Sequence, residues 1–227
     1  MTTTTENLLE EGLAKIGIGE NVMKRTVELL ARYIEELELF NPAYGLVKVR
    51  DRRELIVKHI LDSLAPLSML RTLHPQPRIA DVGSGAGLPG IPLAVCLGGA
   101  QFTLIERMGR RAGFLRNVLA VLGLANVEVA EAEMETISPA GCFDIAVFRA
   151  VRPLDPAIFK GLAKLLAPGG VLAAYKGRLD SVQEEMSALL AALDKTTHTC
   201  IGSWEAVPLE PPFAEEQRCL LTIRLVP

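Results

Sequence analysis

Apolar residues follow two different rhythms along this 227-residue chain, and the change comes near residue 77. Before it the spacing is helical. Val22, Leu30, Tyr33, Ile34 and Leu37 fall on one helical face, as do Ile56, Ile60 and Leu64. These patterns predict a helix from Val22 to Leu37 and a further one from about Arg53 to Ser68. Thr3-x-x-Glu6 has the capping-box form and predicts a first helix through about Leu13. Asn41-Pro42 reads as a helix stop, because proline disfavours helical backbone in the residue before it. Pro75 and Pro77 then punctuate the chain.

After Pro77, short apolar runs alternate with amphipathic segments. Arg78–Val82, Phe102–Ile105, Val127–Ala130, Phe143–Phe148 and Val171–Tyr175 read as buried strands. Helices are expected at about 89–98, 109–122, 154–167 and 180–193. Such alternation implies a parallel sheet with helices on both faces. The tail differs. Thr197–Ala206 and Arg218–Leu225 read as two strands with no helix between, which places an antiparallel strand beside a mostly parallel sheet. The expected organisation is a helical extension over residues 1–76 and an α/β domain over 77–227.

Composition adds little until charge is divided along the chain. Hydrophobic residues make up 49% and charged residues 22%, ample for a buried core. No apolar run approaches the ~20 residues of a bilayer span, so no membrane helix is expected. The start lacks a basic n-region and an apolar h-region, so a cytoplasmic protein without a secretory leader is expected. Cys96, Cys142, Cys200 and Cys219 show no CxxC spacing, and with three histidines no metal set is expected. The net charge is −3, but it is unevenly spread: −4 over residues 1–38, +6 over 39–179 and −5 over 180–227. The basic block contains the clusters Lys48, Arg50, Arg52, Arg53, Lys58 and Arg107, Arg110, Arg111, Arg116. A local patch of this kind is the footprint that nucleic acid needs; a solvated face is the alternative.

The first strand runs into Asp81-Val-Gly-Ser-Gly-Ala-Gly-Leu-Pro-Gly90. Its glycines allow backbone to approach a ligand with no Cβ in the way. A dinucleotide fingerprint, G-x-G-x-x-G, asks for glycine at position 88, where this chain has Leu88. The spacing G-x-G-x-G after an acidic residue is instead typical of S-adenosylmethionine sites. Glu106 ends the second strand, 19 residues beyond Gly87, where a carboxylate accepts ribose hydroxyls in doubly wound folds. A turn with no ligand, and an ordinary strand-end acid, are the bland alternatives.

His59-Ile-Leu-Asp-Ser63, Asp81-Val-Gly-Ser-Gly-Ala-Gly-Leu-Pro-Gly-Ile-Pro92, Gly109-Arg-Arg-x-x-Phe-Leu115, Phe148-Arg-Ala150 and Tyr175-Lys-Gly177 occur in order. Together they resemble the RsmG (GidB) family of bacterial methyltransferases that modify guanine N7 in small-subunit (16S) ribosomal RNA. The resemblance implies a Rossmann-like class I SAM-dependent methyltransferase with a mostly parallel seven-stranded sheet. It implies S-adenosyl-L-methionine as cofactor and the small ribosomal subunit as partner of a monomer. It implies a cofactor site of Asp81, Gly83, Ser84, Gly85, Gly87, Leu88, Glu106, Met134, Glu135 and Arg149. Two positions depart from the family: Asn41-Pro-Ala-Tyr44 stands where it carries Asn-Leu-Thr, and Glu133 where it carries arginine. Asn41-Pro-Ala-Tyr44 also imitates an amine-methylating motif, but it precedes the glycine turn, whereas that motif follows the fourth strand.

Guanine N7 carries a lone pair and no proton, so its methylation calls for no general base. Proximity and orientation are expected to supply the rate, with Asp62 the candidate for a catalytic carboxylate and a helix cap as its alternative role. The RNA-binding candidates are Lys48, Arg50, Arg52, Arg53, Lys58, Arg110, Arg111, Lys176, Arg178 and Arg218, which suit phosphate contacts. His59, Tyr44 and Tyr175 are each open to a substrate contact or to packing. Two rival functions stand beside the favoured one: a SAM-dependent enzyme acting on a small molecule or protein, and a non-enzymatic RNA-binding protein that kept the fold.

Overall fold

The central strands are apolar on both faces, so each face has to be covered. In the computed structural model, which describes residues 4–149 and 153–227, that cover comes from helices of two origins. The elements run α1 (Thr4–Ile16), α2 (Glu20–Tyr44), α3 (Arg52–Leu55), a π-helical turn (Ile56–Leu61), α4 (Asp62–Leu64), α5 (Leu67–Leu73), β1 (Arg78–Val82), α6 (Gly90–Cys96), β2 (Gln101–Ile105), α7 (Gly109–Leu122), β3 (Val127–Ala130), a 3₁₀ turn (Met134–Thr136), β4 (Phe143–Phe148), α8 (Pro156–Leu165), β5 (Leu166–Lys176), α9 (Leu179–Ala192), α10 (Lys195–Thr199), β6 (Ile201–Leu209) and β7 (Arg218–Leu225). The Thr3 capping-box residue and Ala150 lie outside the described residues.

One seven-stranded sheet has the order β3-β2-β1-β4-β5-β7-β6. Strands β1 to β5 pair in parallel, and β7 joins β5 antiparallel, as its position after an uninterrupted strand pair implied. The chain reverses strand order between β1 and β4, which opens a crevice at their carboxyl ends. The period-two alternation of β1 divides the core. Ile79 faces α6, α7 and the N-terminal helices, in one cluster with Leu9, Leu30, Leu37, Ile91 and Phe114. Ala80 faces the opposite side, with Phe159 and Leu162 of α8 and Met186 of α9. Each fully buried leucine of α1 and α2 contributes ~1.5–3 kcal/mol, which binds the N-terminal helices to the sheet.

Four boundaries differ from the sequence expectation. Pro42 does not stop α2, which runs on to Tyr44 and ends at Gly45 with φ 59°. A proline in the last turn removes only one helical hydrogen bond, and Tyr44 packs edge-on to Phe40, which packs on Phe114. The expected helix over 53–68 is three helical pieces with a π turn, broken at Ala65-Pro66 before α5. Strand β5 starts at Leu166 where a helix to 167 was expected, and a short helix occupies Lys195–Thr199 where strand was expected.

Candidate active site

The turn after β1 is organised by its own backbone. Gly83, Gly85 and Gly87 adopt φ of 72°, 58° and 92°, which L side chains rarely adopt. Gly83 and Ser84 donate their N–H groups to Ile105 O at 2.9 and 3.1 Å, and Ile91 N–H reaches Gly87 O at 2.8 Å. A Cβ on Gly87 would meet Ile91 at 2.4 Å, and one on Gly90 would meet Asp81 Oδ2 at 2.5 Å. Gly83 has open space where its Cβ would stand. From the N-terminal extension, buried Tyr33 donates its hydroxyl to Ala86 O at 2.7 Å and supports the turn from below. Sequence reading placed Tyr33 only in a helical stripe; its polar tip was the available signal.

Two carboxylates hold the turn. Asp81 Oδ2 accepts Gly90 N–H at 3.0 Å, whereas Asp81 Oδ1 is buried with no hydrogen-bond partner among the described residues. Burial raises Asp81 to about 6. Glu106, 4% exposed, accepts Gly85 N–H at 2.9 Å and Met108 N–H at 2.8 Å. It lines a cavity of about 460 Å³ with Gly83, Arg111, Glu133, Met134 and Glu135. Thus Gly83, Glu106, Met134 and Glu135 come together. Met134 also packs toward Gly161 of α8. Asp81, Ser84, Gly87 and Leu88 are buried in the structure beneath the turn and do not line that cavity; Gly85 stands against Glu106 at its edge.

A second cavity, about 740 Å³, opens on the other side of the β1–β4 crevice. It includes Lys58, His59, Asp62, Arg149, Tyr175, Lys176, Glu185 and Arg218 in its lining. Asp62 joins two strands here. Its Oδ2 lies 3.4 Å from Arg149 Nη1 at the end of β4, and its Oδ1 lies 2.9 Å from Arg218 Nε at the start of β7. Burial raises Asp62, and the two guanidiniums act against that rise. Asp62 is therefore an ion-pair hub and not a helix cap. His59 Nδ1 stands 3.1 Å from Arg149 Nη2. Burial, then Arg149, lowers His59 to about 4, so the neutral ring accepts from the guanidinium near neutrality. Tyr175 is buried and donates to Ser63 O at 2.7 Å, which makes it a packing residue.

The glycine turn, the switch-point crevice and the motifs all lie within one continuous match: residues 26–205 fit the family model described as rRNA small subunit methyltransferase G. The chain belongs to the rRNA small subunit methyltransferase G family. It is 41% identical to the protein of that name from Cellvibrio japonicus over 170 residues, 74% of this chain and 76% of the relative. It is 36% identical to the Treponema denticola relative of the same name, across 96% of this chain and 94% of the other. Among solved structures, a predicted O-methyltransferase from Agrobacterium tumefaciens superposes with a TM-score of 0.56 at 25% identity, covering 74% of this chain and 80% of that one. A SAM-dependent methyltransferase from Aquifex aeolicus, 18% identical over 78% of this chain and 94% of its own, shares the fold with a TM-score of 0.54. The resemblance read from the motifs and the α/β methyltransferase fold are both borne out.

S-adenosylmethionine, the methyl donor of such enzymes, fits the turn-side residues. The orphaned Asp81 oxygen is a buried acceptor, Gly83 leaves a cradle that a Cβ would fill, and Glu106 places a carboxylate at the cavity floor. Arg149 stands in the second cavity, held by Asp62 and His59.

The basic candidates divide sharply. Arg50 and Lys58 share Glu54, which they lower to about 2, and Lys58 also reaches Glu216 at 2.7 Å. Arg52 is held by Glu38 and Arg178 by Asp180. Lys176, placed by sequence on an RNA-facing edge, is 7% exposed and paired with Glu185 at 2.6 Å. Lys48, Arg53, Arg110 and Arg111 have no acidic partner among the described residues. Arg53 lies over Phe213, and Arg110 over Tyr44. Among the described residues no cluster of three or more His, Cys, Asp or Glu could hold a metal, and no helix is long and apolar enough to cross a membrane.

Proposed function

We propose that this chain transfers a methyl group from S-adenosylmethionine to N7 of a guanine in 16S ribosomal RNA. One observation carries the reading. In a member of the rRNA small subunit methyltransferase G family, a glycine-turn cavity and an arginine-lined cavity open at the same sheet edge, on either side of the strand-order switch. The first follows the ends of β1, β2 and β3; the second follows the ends of β4 and β5 and the start of β7. A donor in one and a base in the other would meet between them.

When bound, S-adenosylmethionine supplies a methyl group on a positively charged sulfur, which leaves as a neutral thioether. The chain's own part is positioning. Gly83, Glu106, Met134 and Glu135 hold the adenosyl side, with Asp81 holding the turn through Gly90 N–H from beneath. Asp62 holds Arg149 and Arg218 toward the acceptor cavity and takes no proton. The N7 lone pair forms the new bond directly, so orientation supplies the rate. Cationic product character builds on the guanine, and the nearby carboxylates favour it electrostatically. Lys48, Arg53, Arg110 and Arg111 are the side chains available for phosphates. A guanine splayed from a single-stranded loop would enter the cavity. In this reading the chain acts as a monomer in the cytoplasm, where ribosomal subunits are assembled. In this reading residues 1–76 form a helical extension that brings Tyr33, His59 and Asp62 to the 77–227 methyltransferase domain.

The test is transfer from labelled S-adenosylmethionine to small subunits from cells lacking this gene, with large subunits and free RNA alongside. Cleavage chemistry specific for 7-methylguanine then maps the label. One 7-methylguanine in small-subunit RNA is expected. No label on any of the three substrates, with donor binding intact, overturns the substrate and returns a small-molecule or protein acceptor.

A further inference from the structure

The acceptor cavity contains one acid that neither the family motifs nor the sequence pattern singled out. Glu185 projects from α9, and its Oε1 accepts both Lys176 Nζ at 2.6 Å and Leu154 N–H at 2.7 Å. Lysine and glutamate are only 7% and 11% exposed. The other carboxylate oxygen, Oε2, has no hydrogen-bond partner among the described residues. Glu185 and Asp62 are the two acids in the cavity lining, but both Asp62 oxygens already face guanidiniums. Glu185 therefore has the open acceptor.

Guanine presents N1–H and N2–H₂ donors on its Watson–Crick edge, with the O6 acceptor beside N1–H, and N7 lies on the opposite edge. An enzyme that must leave N7 clear for a methyl group has to grip the base by the donor edge. Flipped bases are read in this way by other nucleobase-modifying enzymes. Adenine has an acceptor at N1 and no amino group at C2, so a carboxylate repels it. We propose that Glu185 is the specificity-determining residue for this reaction: its open carboxylate oxygen accepts from the guanine N1–H and N2–H₂ edge. This rests on the function proposed above. Lys176 then acts as a positioning residue. It ties down one oxygen, neutralises the buried charge, and aims the carboxylate that would otherwise rotate freely. A buried charge is retained at low cost only when paired in this manner. Leu154 N–H adds a second anchor from the segment that leads into α8. The sequence could not point to Glu185, because its neighbours Glu184 and Gln183 on the same helix are exposed and equally polar.

The experiment uses small subunits reconstituted with guanine or with hypoxanthine at the modified position. Hypoxanthine keeps N7 and N1–H but lacks the 2-amino group. Wild type is expected to prefer guanine by about 10- to 100-fold in kcat/KM, the worth of one hydrogen bond to a charged acceptor. Glu185→Gln keeps an acceptor for Leu154 N–H but turns an amide donor or a weaker acceptor toward the base. It is expected to lower the guanine rate and bring the guanine-to-hypoxanthine ratio close to unity. A purely structural role would lower both rates together and keep the ratio. Should Glu185→Gln melt below the assay temperature, Glu185→Asp retains the charge and withdraws the carboxylate by one methylene, with the same expected loss of ratio. Equal wild-type rates on the two bases, or an unchanged ratio in the folded variant, overturns the proposal. Absence of N7 methylation of the guanine subunit by wild type fails the functional reading instead, and the two failures are distinguishable.

Discussion

Asp81 is a carboxyl group that the fold keeps close to its titration point. It lies at the end of β1, 1% exposed, with Oδ2 on Gly90 N–H and Oδ1 unpartnered. Burial moves it from 3.8 to about 6. That difference in proton affinity corresponds to about 3 kcal/mol. The sign follows from the direction. The folded state binds the proton more tightly than the unfolded chain, so the contribution to stability is complete below pH ~3.8. It decays as pH rises and is lost above about 6. Asp81→Asn removes the titration, keeps the shape and retains an oxygen for Gly90 N–H. The unfolding free energy of the variant minus that of wild type is expected to rise by about 2.5 kcal/mol from pH ~4 to pH ~7.5, the rest having been lost already below pH ~4. Urea unfolding at half-unit pH intervals, followed by far-ultraviolet circular dichroism without donor present, measures this directly. A difference constant to within ~0.5 kcal/mol across that range would refute the reasoning, because an ordinary surface aspartate changes little there.

Three further outcomes follow from the same geometry. Gly87→Ala puts a Cβ 2.4 Å from Ile91 Cδ1 at a φ of 92°, so a loss of about 2 kcal/mol or more in denaturant unfolding is expected, with weaker donor binding by calorimetry. Asp62→Ala leaves Arg149 and Arg218 uncompensated at a site where they are about a quarter exposed. A loss near ~3 kcal/mol is expected, the lower end for broken buried pairs, and a double-mutant cycle with Arg149 should give an interaction energy clearly above zero. Alanine at Lys48, Arg53, Arg110 or Arg111 should each lower the slope of log affinity for small-subunit RNA against log salt by about 1. Alanine at Arg52 or Arg178, which are already held by Glu38 and Asp180, should change that slope less.

What the chain pattern reached was whatever repeats locally. Strand β1 and its glycine turn were legible because Ile79, Ala80 and Val82 are apolar on both faces of the strand and the residues after it must permit positive φ. Glu106 was legible because parallel strands place their carboxyl ends at one edge, whatever lies between them. The antiparallel β7 followed from the missing helix before it. Proline was the weakest guide. Pro42 lies inside α2 because Tyr44 packs on Phe40 and Phe40 on Phe114, 74 residues further along the chain.

Charge was where pattern and structure separated. A run of lysines and arginines has the same appearance whether its members face solvent, phosphate or an acid on another element. Lys176 ends β5 and Arg178 follows it, yet one is buried on Glu185 and the other pairs two residues along at the surface. Asp62 meets Arg149 and Arg218 across separations of 87 and 156 residues, through three elements that only the sheet order brings together. Periodicity and turn chemistry are short-range, so the sequence alone determined the fold class, the glycine turn and the methyltransferase kinship. Ion pairing and burial depend on distances between elements and on the water they exclude. Which cations stay available to RNA, which carboxylates hold arginines, and which acid keeps an open oxygen were decided only when the elements packed.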